Sequence, residues 1–222
     1  MIERPDEVSP FVAVGGRSFD DYLTGLGASH RYAFRRRLRG LEREFRVELA
    51  MVRTEDERRT ALATLVDLHA RRWAGRARSE AFARPPLLAF HDEVSRLALE
   101  RGWLRLYTLT LDGRPAAALY GFRYRDVFSY YQAGFDPALA PYSVGLVTLG
   151  MVIRDAIGEG VAEIDLLHGE ESYKQLWATG ARPLRRLELY PPGARGWLYR
   201  RTAAVERRAR RAARRMLEEV TR

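Results

Sequence analysis

The 222-residue chain contains no cysteine and a single lysine, Lys174. Without cysteine there is no disulfide framework, no thiolate metal site and no cysteine nucleophile. Long apolar runs are missing too. The longest, Val144 to Ile157, falls short of the roughly 20 residues that cross a bilayer and is broken by Arg154 and Asp155. The first ten residues, MIERPDEVSP, carry acids and lack the apolar centre of a signal peptide, so a cytoplasmic location is expected. Histidine is scarce, with four in the chain. His69 and His91 fall on apolar helical faces with no carboxylate or second histidine at ligand spacing, so no metal site is expected.

The remaining 37 of the 38 basic residues are arginine, and the net charge is +9. Such a charge suits a polyanion. A skew this extreme is also what a genome-wide codon bias produces, so arginine abundance by itself is weak evidence for a partner. It makes Lys174 stand out, because an ammonium can deprotonate and donates from a point rather than a fork. Hydrophobic content of 46% and charged content of 30% are those of an ordinary globular domain large enough to bury a core.

Periodicity divides the chain in order. Residues 1–17 hold Pro5, Pro10, Gly15 and Gly16 and read as a loose lead-in. Ser18 caps a short helix with Asp20 and Asp21 in its first turn. A second helix, Ser29 to Phe45, sets Tyr32, Leu38, Leu41 and Phe45 on one stripe and crowds Arg35, Arg36, Arg37, Arg39 and Arg43 on its other faces. Arg46 to Arg53 alternates as a strand, and Thr54 to Trp73 and Leu87 to Arg101 are amphipathic helices. Three strands in a meander follow: Trp103 to Leu111, ending at the hairpin signal Asp112-Gly113, then Pro115 to Tyr124, then Val127 to Gly134. The almost wholly apolar helix from Val144 to Ile157, a strand from Val161 to Leu167, a short helix with Tyr173, Lys174 and Trp177, and a last strand from Arg185 to Tyr190 complete the domain, 18–193. Residues 194–222 read as a basic helix whose thin apolar stripe suits a docked terminal helix, a membrane surface, nucleic acid or another subunit.

Strand, loop, buried helix, strand is the unit that brings a helix N-terminus to the end of a sheet. Unpaired N–H groups and the positive end of the helix dipole there suit a phosphate. Ser143 is placed to cap that helix, and Gly145 allows close approach.

Helices, a three-stranded meander, then helix, strand, helix, strand is also the order of the GNAT fold, an α/β (α+β) architecture with a mixed, mostly antiparallel central sheet. The texts SFDDYLTGLGASHRYAFRRRLRGLERE, LVDLHARRW and DGRPAAALYGFRYRDVFSYYQAGFDPALAPYSVG, with Asp165, Gly169, Tyr173, Lys174 and Trp177, carry a resemblance over residues 18–180. The chain resembles the GNAT-superfamily acyltransferases of the BioF2-like or CelD/BcsL type, relatives of the Fem aminoacyl transferases. The resemblance implies direct transfer of an acyl group from acetyl-CoA or another acyl-CoA to a small or carbohydrate-linked amine, in polysaccharide or envelope biosynthesis. Ser143, Val144, Gly145 and Gln132 would then line the cofactor site. His168 would act as base, Asp165 or Glu170 would hold the acceptor's cation, and Tyr173 and Lys174 would serve as proton donor and anion contact. No nucleophilic side chain is needed for such a transfer.

Two departures qualify the match. The loop before Gly145 has less glycine than that of ordinary GNAT enzymes and no basic residue or Gln, which admits Fem-like transfer from aminoacyl-tRNA, with tRNA or another anionic partner on the arginine-rich helices. Relatives usually carry a further N-terminal half, and fewer than 20 residues precede the match here. The expectation is a short or truncated member, a homo-oligomer, or a partner domain supplying that half. A non-catalytic binding or scaffold module of the same fold is the alternative from another class.

Overall fold

The computed structural model describes residues 2–74, 81–168, 172–203 and 205. They fall into two units, a large one of Val8–Arg182 and a small one joining residues before Val8 to those from Pro183 onward. In chain order the elements are β1 (Ile2–Ala13), α1 (Phe19–Gly25), α2 (Ala28–Glu44), β2 (Val47–Met51), α3 (Glu55–Trp73), α4 (Pro85–Glu100), β3 (Leu104–Leu111), β4 (Arg114–Tyr124) and β5 (Val127–Phe135). A 3-10 turn at Pro137–Tyr142, α5 (Val144–Gly158), β6 (Glu163–Asp165), α6 (Ser172–Trp177) and β7 (Gly180–Glu188) follow. In the small unit, residues 194–203 are helical. The remainder of the expected basic C-terminal helix lies outside the described residues.

The sheet runs β2-β3-β4-β5-β6-β1-β7, entering the large unit with the later part of β1 and the first residues of β7. β5 and β6 are parallel, whereas β2/β3, β3/β4, β4/β5 and β1/β6 are antiparallel. The hairpin between β3 and β4 turns on Asp112 (φ 50°) and Gly113 (φ 77°), both in the left-handed region that a two-residue turn of right-handed twist requires. Asp112 also accepts from the Arg46 N–H at 2.8 Å, which ties the turn to the strand beside it.

Side-chain parity sorts the core onto two faces. Leu104, Leu106, Ala118 and Tyr120 meet α3 and α4, while Leu109, Leu111, Ala117, Val144 and Val147 pack with Leu41 of α2. Six consecutive residues of β4, Ala116 to Gly121, are buried, as a strand covered on both faces must be. Caps fix the helix starts. Ser18 accepts from the Asp21 N–H, and Thr54 with Glu57 forms a full capping box. Arg58 clamps α3 to α4. It is 1% exposed, bonded to Glu55 at 2.7 Å, Asp92 at 2.8 Å and the Ser95 hydroxyl at 2.7 Å.

Three boundaries differ from the sequence reading. Residues 2–13, expected as a loose lead-in, form β1, because Phe11, Val12 and Ala13 pair with Asp165, Ile164 and Glu163 and Val12 is fully buried. The strand expected at 161–167 shrinks to three residues, since Leu167 turns into the left-handed region at φ 54°. The last strand starts five residues before the expected Arg185, at Gly180.

Candidate active site

β5 is nine residues long, yet it pairs with β6 only through Val127, Ser129 and the residue between them. Beyond Ser129 the pairing with β6 ends, and an apolar cavity of about 260 Å³ lies beside the later part of β5. Ala117, Ala118 and Leu119 of β4, Tyr130 and Ala133 to Phe135 of β5, Ser143 to Leu146 at the start of α5, and Arg72 and Tyr173 contribute to its wall. Among the described residues no carboxylate does.

Two glycines make this geometry possible. A Cβ on Gly134 would lie 2.4 Å from the backbone nitrogen of His69, so glycine lets α3 rest directly on β5. A Cβ on Gly145 would meet the Phe135 ring at 3.2 Å and narrow the cavity where α5 begins. The N–H groups of Val144 and Gly145, the first two of that helix, have no intrahelical acceptor; those of Leu146 and Val147 bond to the Ser143 carbonyl. Ser143 is the residue ahead of the helix, as the sequence suggests, but its hydroxyl makes no capping bond. Its backbone is left-handed (φ 55°), and Oγ instead accepts from Nε of Arg37 in α2 at 3.2 Å.

The Tyr130 and Tyr173 hydroxyls lie 3.0 Å apart, joining β5 to α6 across the cavity. Lys174 is 4% exposed; its Nζ donates to the His168 carbonyl at 2.9 Å and stands 5.7 Å from the centre of the Tyr130 ring. Arg72, half-buried, donates to the Ala133 carbonyl at 3.3 Å, and its guanidinium lies against the rings of Phe135 and Tyr173.

The structure therefore gathers Ser143, Val144, Gly145 and Tyr173 around one cavity, with Lys174 behind Tyr130. His168 touches this group through its backbone, and its side chain is exposed. Asp165 does not line the cavity: its Oδ1 accepts from the Ser9 hydroxyl at 2.7 Å and from the Leu167 N–H at 2.9 Å. Nor does Gln132. The register shifts between Tyr120 and Gly121, so that Tyr131 is an extra residue bulged out of β5. One extra residue reverses side-chain parity, and Gln132 bonds to His69 on the α3 side, while Tyr130 faces the cavity. Glu170 and Gly169 lie outside the described residues. Arg37, Arg72 and Tyr130 were not singled out from the sequence as site residues.

The α3 side of the sheet is a second environment. His69, held by Gln132, has its imidazole pushed down to about 4, first by burial and then by the Arg72 charge. Burial lowers His91 and His30 as well and raises Tyr120 and Tyr107. Among the described residues no cluster of three or more potential metal ligands occurs, and no helix is long and apolar enough to cross a membrane.

Residues 28–175 match the family described as acetyltransferase (GNAT) domain, well over half of the chain. No curated protein matches. Solved structures share the fold at low identity. One is FemX, with a TM-score of 0.60 at 9% identity over 80% of this chain. Another is a conserved protein of unknown function from Bacteroides thetaiotaomicron VPI-5482, at 0.59, 15% identity and 83%. A third is the C-terminal DUF2156 domain of a putative lysylphosphatidylglycerol synthetase from Agrobacterium fabrum, at 0.55, 12% and 83%. The aligned part spans 60% of each of these chains. A helix starting where β5 runs on past β6, and a family match over residues 28–175 that takes in this region, lead to one assignment: the chain belongs to the GNAT acetyltransferase domain family.

Proposed function

We propose that the chain is an N-acyltransferase that carries an acyl group from acyl-CoA to an amine acceptor by direct attack. The observation that carries this reading is the apolar cavity walled by β4, the end of β5 and the start of α5, which opens onto the free N–H groups of Val144 and Gly145. The residues fit such a donor. Amide donors and the Ser143 hydroxyl suit a pyrophosphate, Gly145 leaves the space that a side chain would fill against Phe135, and the cavity wall suits an apolar arm.

The donor supplies an acyl carbonyl activated as a thioester. The new C–N bond forms as the C–S bond breaks, so the chain must orient the amine, let it lose a proton and provide one to the departing sulfur. Tyr173, hydrogen-bonded to Tyr130, is the proton source that the cavity offers. Lys174, beside the Tyr130 ring, holds this pair in a positive field. No described carboxylate lines the cavity, which suits an anionic donor. An amine on a carbohydrate or envelope precursor is the acceptor class that the resemblance to BioF2-like proteins favours.

Isothermal titration with acetyl-CoA tests the reading. Saturable binding by the wild-type chain, lost in Gly145→Leu at unchanged melting temperature, is expected; equal binding by both overturns the placement. The second reading, transfer from aminoacyl-tRNA, rests on the exposed Arg35, Arg36 and Arg39 of α2. Binding of tRNA without binding of any CoA species would move it to first place.

A further inference from the structure

We infer that Arg37, reaching over from α2, grips a phosphate of the donor at the start of α5; the inference rests on the acyl-CoA reading. The run from Asp136 to Gly145 contains no basic residue, so the loop that leads into α5 brings no cation of its own. The fold brings one from elsewhere. Arg37, 106 positions away in sequence, donates through Nε to the hydroxyl of Ser143, the residue just before the two free N–H groups.

Its electrostatic situation sets it apart. Arg37 is half-buried and no described carboxylate pairs with it, whereas its neighbour Arg35 is matched by Asp20 at 2.7 Å and the buried Arg58 by Glu55 and Asp92. A partly desolvated guanidinium without a counter-charge is costly, and an anion placed beside it recovers that cost. With Nε committed to Ser143, the two terminal nitrogens make no bond to a described residue, and they form the fork that matches phosphate oxygens. Arg72 on the cavity wall likewise has no described carboxylate partner.

The position of Arg37 is also rigid. Phe34 and Leu41, one turn to either side, are buried; Phe34 packs edge-on to Trp177 at 5.3 Å, and the space above Gly150 of α5 is filled by the same two rings. The backbone that carries Arg37 is thus held against α5, and the bond from Nε to Ser143 orients the guanidinium, which limits the entropy lost on binding. Helix α2 completes a site whose other donors are backbone.

The test measures binding rather than turnover. Titrate CoA and pantetheine, which lacks the phosphates, against wild type, Arg37→Met, Arg37→Lys and the control Arg35→Met. Arg37→Met is expected to weaken CoA roughly tenfold to a hundredfold, the range for a charge-assisted hydrogen bond. Pantetheine affinity and melting temperature should stay unchanged. Arg37→Lys should recover part of the loss, and the dependence of CoA affinity on salt should be shallower in Arg37→Met. Wild-type CoA binding matched within twofold by Arg37→Met overturns the role of Arg37 while leaving the acyl-CoA reading intact. An equal loss for pantetheine and CoA in Arg37→Met makes the residue structural and overturns it as well. Failure of the wild-type chain to bind CoA overturns the donor reading and this inference together.

Discussion

Gly134 is the point where α3 rests on β5, and adding one methyl group there tests how the active site is held. In Gly134→Ala the new Cβ would sit 2.4 Å from the His69 nitrogen, about 1 Å short of the ordinary contact distance of 3.4 Å. Backbone cannot rotate away as a side chain can, so α3 must withdraw. Overpacking of this kind costs about 1–3 kcal/mol. For a chain of this length, a loss of about 2 kcal/mol corresponds to a fall of roughly 4–8 °C in melting temperature. Arg72 lies one turn beyond His69 on the same helix, so its bond to the Ala133 carbonyl should lengthen and donor affinity should drop with stability. Gly40→Ala is the matched control. Gly40 lies inside α2 with nothing within 4 Å of the point where a methyl would stand, and alanine there should raise stability by about 1 kcal/mol. Differential scanning calorimetry and CoA titration of both variants provide the comparison. A Gly134→Ala chain that melts within about one degree of wild type would refute the claim that this contact is tight.

Other perturbations reach other parts of the structure. Tyr173→Phe and Tyr130→Phe should each lower the transfer rate, Tyr173→Phe by roughly 10²-fold or more, with little change in CoA affinity; a larger effect on affinity than on rate would remove Tyr173 as proton source. Lys174→Met keeps the stem and removes the donor to the His168 carbonyl, so a loss of roughly 1–2 kcal/mol in chemical denaturation is expected, together with slower transfer. The neutral imidazole of His69 gives stability a defined pH profile. With its folded value near 4 against an ordinary 6.5, the unfolded chain binds the proton first, so stability is complete above about pH 6.5 and falls as pH drops toward 4, by up to ~3 kcal/mol. His69→Gln should flatten melting curves in that window, and an unchanged slope would contradict the assignment. Arg58→Met should separate α3 from α4 at a cost of about 3 kcal/mol, and a neutral result would show that the buried ion pairs only offset their own desolvation.

What could be read from the sequence was whatever local chemistry decides. Asp112-Gly113 needs two left-handed residues wherever it occurs, Ser18 caps within four residues of itself, and the apolar run from Val144 up to Arg154 marks a buried helix. β1 escaped because Pro5 and Pro10 read as loop punctuation, while its partner β6 lies some 150 residues downstream. Gln132 was placed by a strict period of two, and the bulge at Tyr131 breaks that period without leaving a mark in the residue types. Ser143 looks like a cap from its neighbours alone; its backbone conformation and the arrival of Arg37 are tertiary facts. Among 37 arginines, nothing in composition singles out Arg37 and Arg72, which reach the start of α5 and the cavity wall, from the rest.

The burial of the one lysine turns the chain into its own reporter. A protease that cuts after lysine has a single internal target in 222 residues, and that target is held 4% exposed on the short helix whose tyrosine faces the cavity. Native protein should therefore resist such digestion and, when α6 lifts, break once into fragments of 174 and 48 residues. The rate of that one cut measures how often the wall of the cavity opens, and a ligand that seats α6 more firmly will slow it in proportion to its occupancy.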